Sequence, residues 1–154
     1  MVSMFLTSLS YAQAPVNFSG SWAYNESKST VGEGGMRMIS QKLTITQDDK
    51  TFKLERAFTG QDGTERKMEE TYTLDGKESV NPMFNTSKKS TAVWAADKKS
   101  LTVSSVMVFE MNGESNEIKT VEVYKMPDAS TLSIDSQSTS SMGERKATMI
   151  YDKK

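Results

Sequence analysis

The chain reads Asn17-Phe18-Ser19-Gly20-Ser21-Trp22-Ala23-Tyr24-Asn25 close to its N-terminus. Large side chains alternate with small ones here, so that Phe18, Trp22 and Tyr24 fall on one face of an extended strand. The segment also holds one of only two tryptophans in the chain. It therefore predicts the first strand of a sheet whose buried face carries aromatic residues.

The rest of the chain consists of similar alternating segments separated by turn residues. Asp75-Gly76 and Asn112-Gly113 are strong signals for two-residue β-hairpins. No segment shows sustained helical periodicity, so helix is expected only as a turn near residues 26–29. Besides the first strand at 18–24, the expected strands are 37–47, 51–59, 64–74, 77–80, 90–96, 100–111, 117–126, 130–139 and 145–152. Strands joined by tight turns in this way predict an all-β fold, a single antiparallel up-and-down β-barrel of about 8–10 strands, and the alternative is an open β-sandwich.

The least regular part of the pattern lies around Asn81-Pro82. Proline has no N–H to donate to a β-ladder, so we expect it to end the short strand 77–80. Residues 83–87 are then predicted to form a loop before the strand that begins at residue 90.

Length and composition exclude several classes of function. The chain has 154 residues, which suits one domain large enough to close a single barrel. Charged residues make up 25% and the net charge is -1, so the basic face of a nucleic-acid-binding protein is not expected. The chain has no cysteine and no histidine, which excludes disulfides, zinc-thiolate sites, thiolate nucleophiles and histidine general bases. We expect no metal, no cofactor and no enzymatic activity.

Residues 1–14 carry no charge and run from an apolar stretch to small residues at Ser10 and Ala12. This pattern predicts the remnant of a signal peptide, with cleavage after Ala12 and a barrel domain over residues 15–154. A secreted chain without cysteine suits a periplasm, so we expect a periplasmic or secreted bacterial protein, and a monomer. The stretch is too short for a transmembrane helix. The alternative is a disordered or strand-forming N-terminal arm.

Both ends of the barrel segment carry a familiar pattern. Gly20-Ser21-Trp22 is a Gly-x-Trp motif, and the chain ends in Thr148-Met149-Ile150-Tyr151-Asp152-Lys153-Lys154. These segments resemble the first and last strands of the calycins, the group of lipocalins and intracellular fatty-acid-binding proteins. The resemblance implies a lipocalin-like barrel that binds a small hydrophobic or amphipathic ligand. It also implies that a basic side chain, Arg145, Lys153 or Lys154, packs on the indole of Trp22.

Two features differ from the fatty-acid-binding proteins. Those proteins place a two-helix lid after the first strand, whereas residues 25–35 here are too few and too polar for such a lid. They also grip the ligand carboxylate with an Arg-x-Tyr pair on the last strand. Tyr151 stands in the tyrosine position, but residue 149 is a methionine and Arg145 lies too far back. The carboxylate clamp is therefore incomplete.

Several presumed inner faces carry polar residues. Arg56 and Glu70 are expected opposite one another on neighbouring strands, and Gln41 and Glu122 fall in register with large apolar neighbours. A charge in a dry core is unfavourable by several kcal/mol unless it is paired, so these residues predict a lumen filled by water or by a ligand. In this lumen Arg56, paired with Glu70, would orient the polar end of the ligand. The remaining candidates for ligand binding are Phe58, Tyr72, Met107, Phe109 and Tyr151.

Other interpretations stay open at this point. A one-residue slip at a bulge would turn Arg56 and Glu70 outward. A barrel filled by its own side chains would favour a structural or envelope interaction domain, whereas a cavity of several hundred Å³ would argue for ligand binding. Converging carboxylates with room for a substrate would favour an enzyme. Met36 and Met38 suggest a thioether copper site, although methionines that fill a core or cavity wall are the stronger interpretation.

Overall fold

The computed structural model describes residues 13–32 and 39–154. Residues 1–12 of the predicted signal peptide, together with Met36 and Met38, lie outside the described residues. A 3₁₀ turn, Glu26–Lys28, lies where the sequence predicts a helical turn, and the side chain of Asn25 caps it by accepting a hydrogen bond from the N–H of Lys28. The strands are β1 Gly20–Tyr24, β2 Thr30–Val31, β3 Lys42–Gln47, β4 Thr51–Thr59, β5 Glu65–Thr73, β6 Ser79–Met83, β7 Thr86–Trp94, β8 Ser100–Met111, β9 Glu114–Asp128, β10 Thr131–Ser140 and β11 Gly143–Lys153.

One antiparallel sheet contains all of these strands. The order along the sheet is β5-β4-β3-β1-β11-β10-β9-β8-β7-β6, and the two-residue β2 pairs with β11 next to this path. From β3 to β5 and from β6 to β11, each strand pairs with the next one in the chain, which is the meander of an up-and-down barrel. The predicted single antiparallel β-barrel with minimal helix is therefore confirmed.

The barrel is nearly closed, and its seam lies between β5 and β6. No ladder joins these two strands among the described residues, and side-chain hydrogen bonds connect them instead. The N–H of Thr73 donates to Oγ of Ser79 at 3.0 Å, and two further bonds involve the side chain of Asn81. Its Oδ1 accepts a hydrogen bond from the N–H of Thr71 at 2.8 Å, and its Nδ2 donates to the carbonyl of Thr71 at 3.1 Å. A side-chain amide thus takes the place of a backbone pair, because it offers the same donor and acceptor.

The strands around Asn81 differ from the prediction. β6 continues through Pro82 to Met83, and β7 begins at Thr86 instead of at residue 90. β6 forms a ladder with β7 only, and proline is tolerated on such an edge because no second ladder requires its N–H. β3 also begins later than expected, at Lys42.

The turns alternate between the two ends of the barrel. We call the end with the turns β3–β4, β5–β6, β7–β8 and β9–β10 the closed end, and the opposite end the open end. Each turn of the closed end has, within it or directly before it, an aspartate whose carboxylate accepts a hydrogen bond from the N–H two residues further on, a geometry that fixes tight turns. These aspartates are Asp48, Asp75, Asp97 and Asp128.

Aromatic side chains fill the interior at the closed end. Phe18 stacks on Trp94 with ring centroids 5.9 Å apart, and Phe52 meets Tyr124 edge-on at 5.3 Å. Such pairs add to the stability gained from burial alone. The closed half of the barrel is therefore a packed core.

The Gly-x-Trp motif has a structural explanation at this end. Gly20 has a φ of +144°, which side-chain-bearing residues resist, and a Cβ there would lie 3.2 Å from Cε of Lys153. The ammonium of Lys153 lies 5.4 Å from the centroid of the Trp22 ring. The indole N–H of Trp22 donates to the carbonyl of Phe18 at 3.0 Å. The glycine thus leaves room for Lys153, the one of the three expected basic residues that lies over the indole.

Candidate functional site

A cavity of about 180 Å³ lies inside the barrel, in the half next to the open end. Inward-facing residues of β4 to β9 line it, because alternate residues of each strand point to the interior. Charged and apolar side chains share this lining. The charged residues are Arg56, Glu70, Lys88 and Glu122, and the apolar residues are Phe58, Met68, Met83, Met107 and Ile118.

Arg56 is the centre of the charged group. Only 11% of its side chain is exposed. Its Nε donates to Oε2 of Glu70 at 3.0 Å, and its Nη2 donates to Oε2 of Glu122 at 2.7 Å. The same Nη2 also donates to the hydroxyl of Tyr124 at 2.9 Å. One guanidinium therefore connects β5 with β9 across the interior of the barrel.

Lys88 is a second cation in this group. Its ammonium contacts Oε1 of Glu70, and 13% of its side chain is exposed. Arg56, Glu70, Lys88 and Glu122, which we call the charge cluster, comprise two cations and two carboxylates and are neutral as a set. Pairing of this kind offsets part of the free energy that is lost when charges leave water.

The pairing also fixes the protonation states. Burial alone would raise the pKa of Glu70, but Arg56 and Lys88 outweigh it and hold that pKa below its usual value. Burial would lower the pKa of Arg56, yet the negative charges around it, that of Glu122 above all, raise that pKa well above its usual value. Both side chains are therefore charged at neutral pH. A carboxyl group that serves as a general acid needs the opposite shift.

Three buried tyrosines lie on the closed-end side of the charge cluster. The hydroxyl of Tyr124 donates to Oε2 of Glu122 at 3.0 Å while it accepts from Arg56. The hydroxyls of Tyr72 and Tyr151 have no hydrogen-bond partner among the described residues. Burial raises the pKa of all three phenols, so each keeps its proton. Two buried donors without partners favour a polar group or a water molecule beside them.

Most residues that the sequence predicts for the site face the interior of the barrel. Phe58, Met107, Arg56, Glu70 and Glu122 line the cavity together. Tyr72 and Tyr151 are fully buried on its closed-end side. Phe109 is half-buried, two residues beyond Met107 in the direction of the open end. The role of these residues in ligand binding stays a prediction.

Gln41 is not brought to the charge cluster. It is exposed, it precedes β3, and it lines a different cavity of about 470 Å³ together with Tyr24 and Glu26. The prediction placed Gln41 on the inner face because it lies two residues before Leu43. β3 begins only at Lys42, so the alternation of the strand does not extend to Gln41.

Several residues of the site were not among the candidates predicted from the sequence, namely Ser40, Met68, Met83, Lys88, Ser105, Ile118, Thr120 and Tyr124. Tyr124 lies two residues after Glu122, so the alternation that identified Glu122 also points to it. Lys88 lies two residues before the buried Ser90, and Met83 lies two residues after the buried Asn81. The same alternation indicates both, but only if residues 83–87 are not read as a loop.

We also considered a metal site, a membrane-spanning helix and a groove on the outer surface. Within residues 13–32 and 39–154, no group of three or more His, Cys, Asp or Glu side chains is arranged to hold a metal ion. Nor does any helix of this part of the chain have the length and apolar character needed to cross a membrane. A larger groove of about 510 Å³ lies on the outer face of β9 to β11, where Val121, Val123 and Lys146 contribute to its lining.

Comparison with known proteins supports the fold. No protein-family model and no curated protein matches the chain. Among solved structures, the chain is similar to the crystal structure of zebrafish ileal bile acid-binding protein complexed with cholic acid. The TM-score is 0.59 at 13% sequence identity, and the match covers 89% of this chain and 98% of that chain. The predicted calycin-type fold is therefore confirmed.

Proposed function

We propose that this protein binds a small amphipathic ligand in the open half of the barrel. The observation that carries the proposal is a pair of buried cations, Arg56 and Lys88, that face a cavity also lined by five apolar side chains. Nη1 of Arg56 donates to no described residue, and Lys88 forms an ion pair with Glu70 alone. Donors thus remain for an incoming group, and an acidic or carbonyl head group fits them best because it offers only acceptors.

The cavity size limits what fits. A volume of about 180 Å³ equals that of roughly six water molecules, and pockets for drug-sized ligands usually have about 300–1,000 Å³. The cavity therefore accommodates a head group, while the apolar part of the ligand extends towards the open end. Met68, Met83 and Met107 line this path, and flexible methionine side chains repack around different apolar shapes. The zebrafish bile acid-binding protein, whose structure contains cholic acid, has the same type of barrel and supports a ligand of this kind.

The proposed role is not enzymatic. Glu70 and Glu122 do converge, but they converge on Arg56, which holds both in ion pairs. Because the pKa of Glu70 is lowered, this carboxylate has no proton to donate at neutral pH. The pair is therefore suited to holding a cation in place and poorly suited to acid–base catalysis.

A second candidate is a structural or envelope interaction domain with a filled barrel. The fully packed closed half, in which Phe18, Trp22 and Phe52 have at most 1% exposure, favours it. The cavity is also smaller than the several hundred Å³ that ligand binding leads one to expect. The two candidates differ in whether the open half takes up a ligand.

Three probes with the same alkyl chain and different head groups separate the candidates. We expect isothermal titration to show binding of decanoate, weaker binding of decanol and none of decyltrimethylammonium, since the free groups of the site are donors. Arg56→Met, made in a Glu122→Gln background so that no carboxylate is left without a cation, should weaken decanoate binding at least about tenfold. Lys53→Met is the control, because Lys53 is an exposed cation on the same strand that pairs with Glu69.

Each result has a clear consequence. Equal affinity for the three probes would show that the charge cluster does not contact the ligand. Unchanged affinity of the Arg56→Met protein for decanoate would show the same. If none of the probes binds and a lipid extract yields no retained compound by mass spectrometry, the filled-barrel candidate replaces ligand binding.

We also propose that the protein is exported to a periplasm or secreted. The uncharged, apolar character of residues 1–14 and the absence of cysteine support this. Intact-mass measurement of the protein recovered from cells and medium tests it. A mass without residues 1–12 is expected, and a mass that retains them would contradict the proposal.

A further inference from the structure

The two ends of the barrel differ in the chemistry of their turns. Each turn of the closed end has an aspartate that caps it, and at the open end Asp62 does the same in the turn between β4 and β5. The other three hairpins of the open end carry a large exposed apolar side chain in the turn or directly before it, with exposures of 69% for Phe84, 52% for Met111 and 71% for Met142. None of these residues belongs to the hydrophobic core. We call Phe84, Met111 and Met142 the apolar rim, and packing of the barrel does not account for it.

The backbone at Phe84 is a second, independent indication. Its φ is +53°, in the left-handed region that bulky residues avoid. Within the described part of the chain, the two other non-glycine residues with positive φ, Lys98 and Asn112, are polar turn residues. A phenylalanine held in a strained conformation with its ring in solvent gives the fold nothing that asparagine or glycine would not give better. Strain of this kind typically marks a functional position.

We infer that the apolar rim docks the open end of the barrel on the surface of a zwitterionic lipid bilayer. The three rim residues lie on three separate hairpins, Phe84 and Met142 in the turn and Met111 directly before it, and each has an exposed side chain. A bilayer interface accommodates separate protruding side chains, and it favours aromatic rings and other apolar groups.

The charges around the rim specify the kind of lipid. Glu110 and Glu114 flank Met111, and Arg145 lies three residues after Met142. All three are exposed and form no ion pair among the residues described, which leaves one net negative charge beside the rim. Beside Met142, the positive charge of Lys146 is paired with Glu144 at 3.0 Å. An acidic rim is repelled by anionic headgroups and is compatible with phosphatidylcholine. Docking in this orientation turns the cavity towards the bilayer, in which an amphipathic ligand would dissolve; only this consequence rests on the proposed function.

Vesicle co-sedimentation tests the inference. The protein should sediment with phosphatidylcholine vesicles and less with vesicles that also contain phosphatidylserine. Replacing all three rim residues with serine should abolish sedimentation, and Phe84→Asn alone should weaken it roughly tenfold. Phe84→Asn should also raise the melting temperature, because asparagine tolerates the positive φ. The control is Val93→Ser with Val121→Ser, which removes two valines with 53% and 41% exposure from the outer wall.

Several outcomes would overturn the inference. These are no sedimentation with any vesicle, a preference for anionic vesicles, and equal losses for the rim and wall variants. A rim-dependent dimer in analytical ultracentrifugation without vesicle binding would assign the rim to a second copy of the chain. Phe84→Trp gives a direct readout, since its emission should shift to the blue on phosphatidylcholine and stay unchanged if the rim does not insert. Decanoate binding should be the same in the rim variants, so failure of docking and failure of ligand binding are distinguishable.

Discussion

Replacing Arg56 with methionine should destabilise the protein strongly at neutral pH and much less in acid. Methionine keeps much of the volume of the side-chain stem and removes the charge. Glu70 still has Lys88 as a partner, but Glu122 keeps only the hydroxyl of Tyr124. Since the side chain of Glu122 is 7% exposed, a buried carboxylate is left without a cation.

The magnitude follows from this unpaired charge. Removing one partner from a buried ion pair typically lowers the free energy of unfolding by about 3–5 kcal/mol. With an m-value of about 2 kcal/mol per molar urea, the urea midpoint should fall by roughly 1.5–2.5 M. An exposed pair contributes about 0–1 kcal/mol, so Lys53→Met, which breaks the Lys53–Glu69 pair, should move the midpoint by less than about 0.5 M.

Acid should reduce the difference between the two proteins. Arg56 and Lys88 hold the pKa of Glu70 in the folded protein below its ordinary value of 4.5. A carboxylate with a lowered folded pKa stabilises the protein above its unfolded pKa, and this stabilisation is lost as the pH falls through the folded pKa. The unsubstituted protein therefore loses stability as the pH drops below 4.5. In the Arg56→Met variant only one of the two cations still pairs with Glu70. Less of its stability depends on the charge of Glu70, so it loses less stability in acid.

Urea titrations followed by the fluorescence of Trp22 and Trp94, at neutral pH and at about pH 4, measure both effects. Adding Glu122→Gln to Arg56→Met should restore a large part of the stability, because the buried charge is gone. If Arg56→Met leaves the urea midpoint unchanged at neutral pH, the buried ion pairs of Arg56 with Glu70 and Glu122 do not stabilise the protein as argued. A loss of equal size at both pH values would refute its electrostatic origin.

Three further substitutions test how the barrel is closed. Asn81→Leu removes the two hydrogen bonds that Asn81 forms across the seam and should lower stability by about 1–3 kcal/mol; unchanged hydrogen exchange at the amide of Thr71 would contradict this role. Lys153→Met removes the cation over Trp22 and should lower stability by about 0.5–1 kcal/mol with a change in tryptophan emission, and constant emission would argue against the contact. Gly20→Ala forces a side chain into a conformation it resists and should lower stability by about 1–3 kcal/mol in urea unfolding; a neutral effect would show that the strand adapts.

Strand alternation was sufficient to predict which residues face the interior on the regular hairpins. Arg56, Glu70 and Glu122 are each two residues from a buried apolar or aromatic residue on the same strand, and the tight turns fix the register. The contact between Arg56 and Glu122 was not predictable, because the two residues are 66 positions apart and meet only through the curvature of the sheet. Local sequence patterns carry no information about that curvature.

Met83 and Lys88 were missed for one reason. Proline was taken to end a strand, and this holds for strands paired on both sides. β6 is paired on one side only, so it continues through Pro82. The error shortened β6 and β7 together, and it removed Met83 and Lys88 from the predicted interior. Whether a strand lies at an edge depends on the order of the whole sheet, which one segment does not reveal.

The two halves of the barrel differ in how their buried residues contribute to stability. The closed half gains its stability from apolar and aromatic burial, and the open half buries four charges where apolar side chains of similar volume would often give equal or greater stability. A barrel selected only for stability would continue the packing of Phe18, Phe52 and their neighbours into the open half. The charge cluster lies instead beside the cavity, and the strained, exposed Phe84 lies on a turn of the same end. Both departures from the most stable arrangement occur at the open end, which is therefore where the function of the molecule is to be sought.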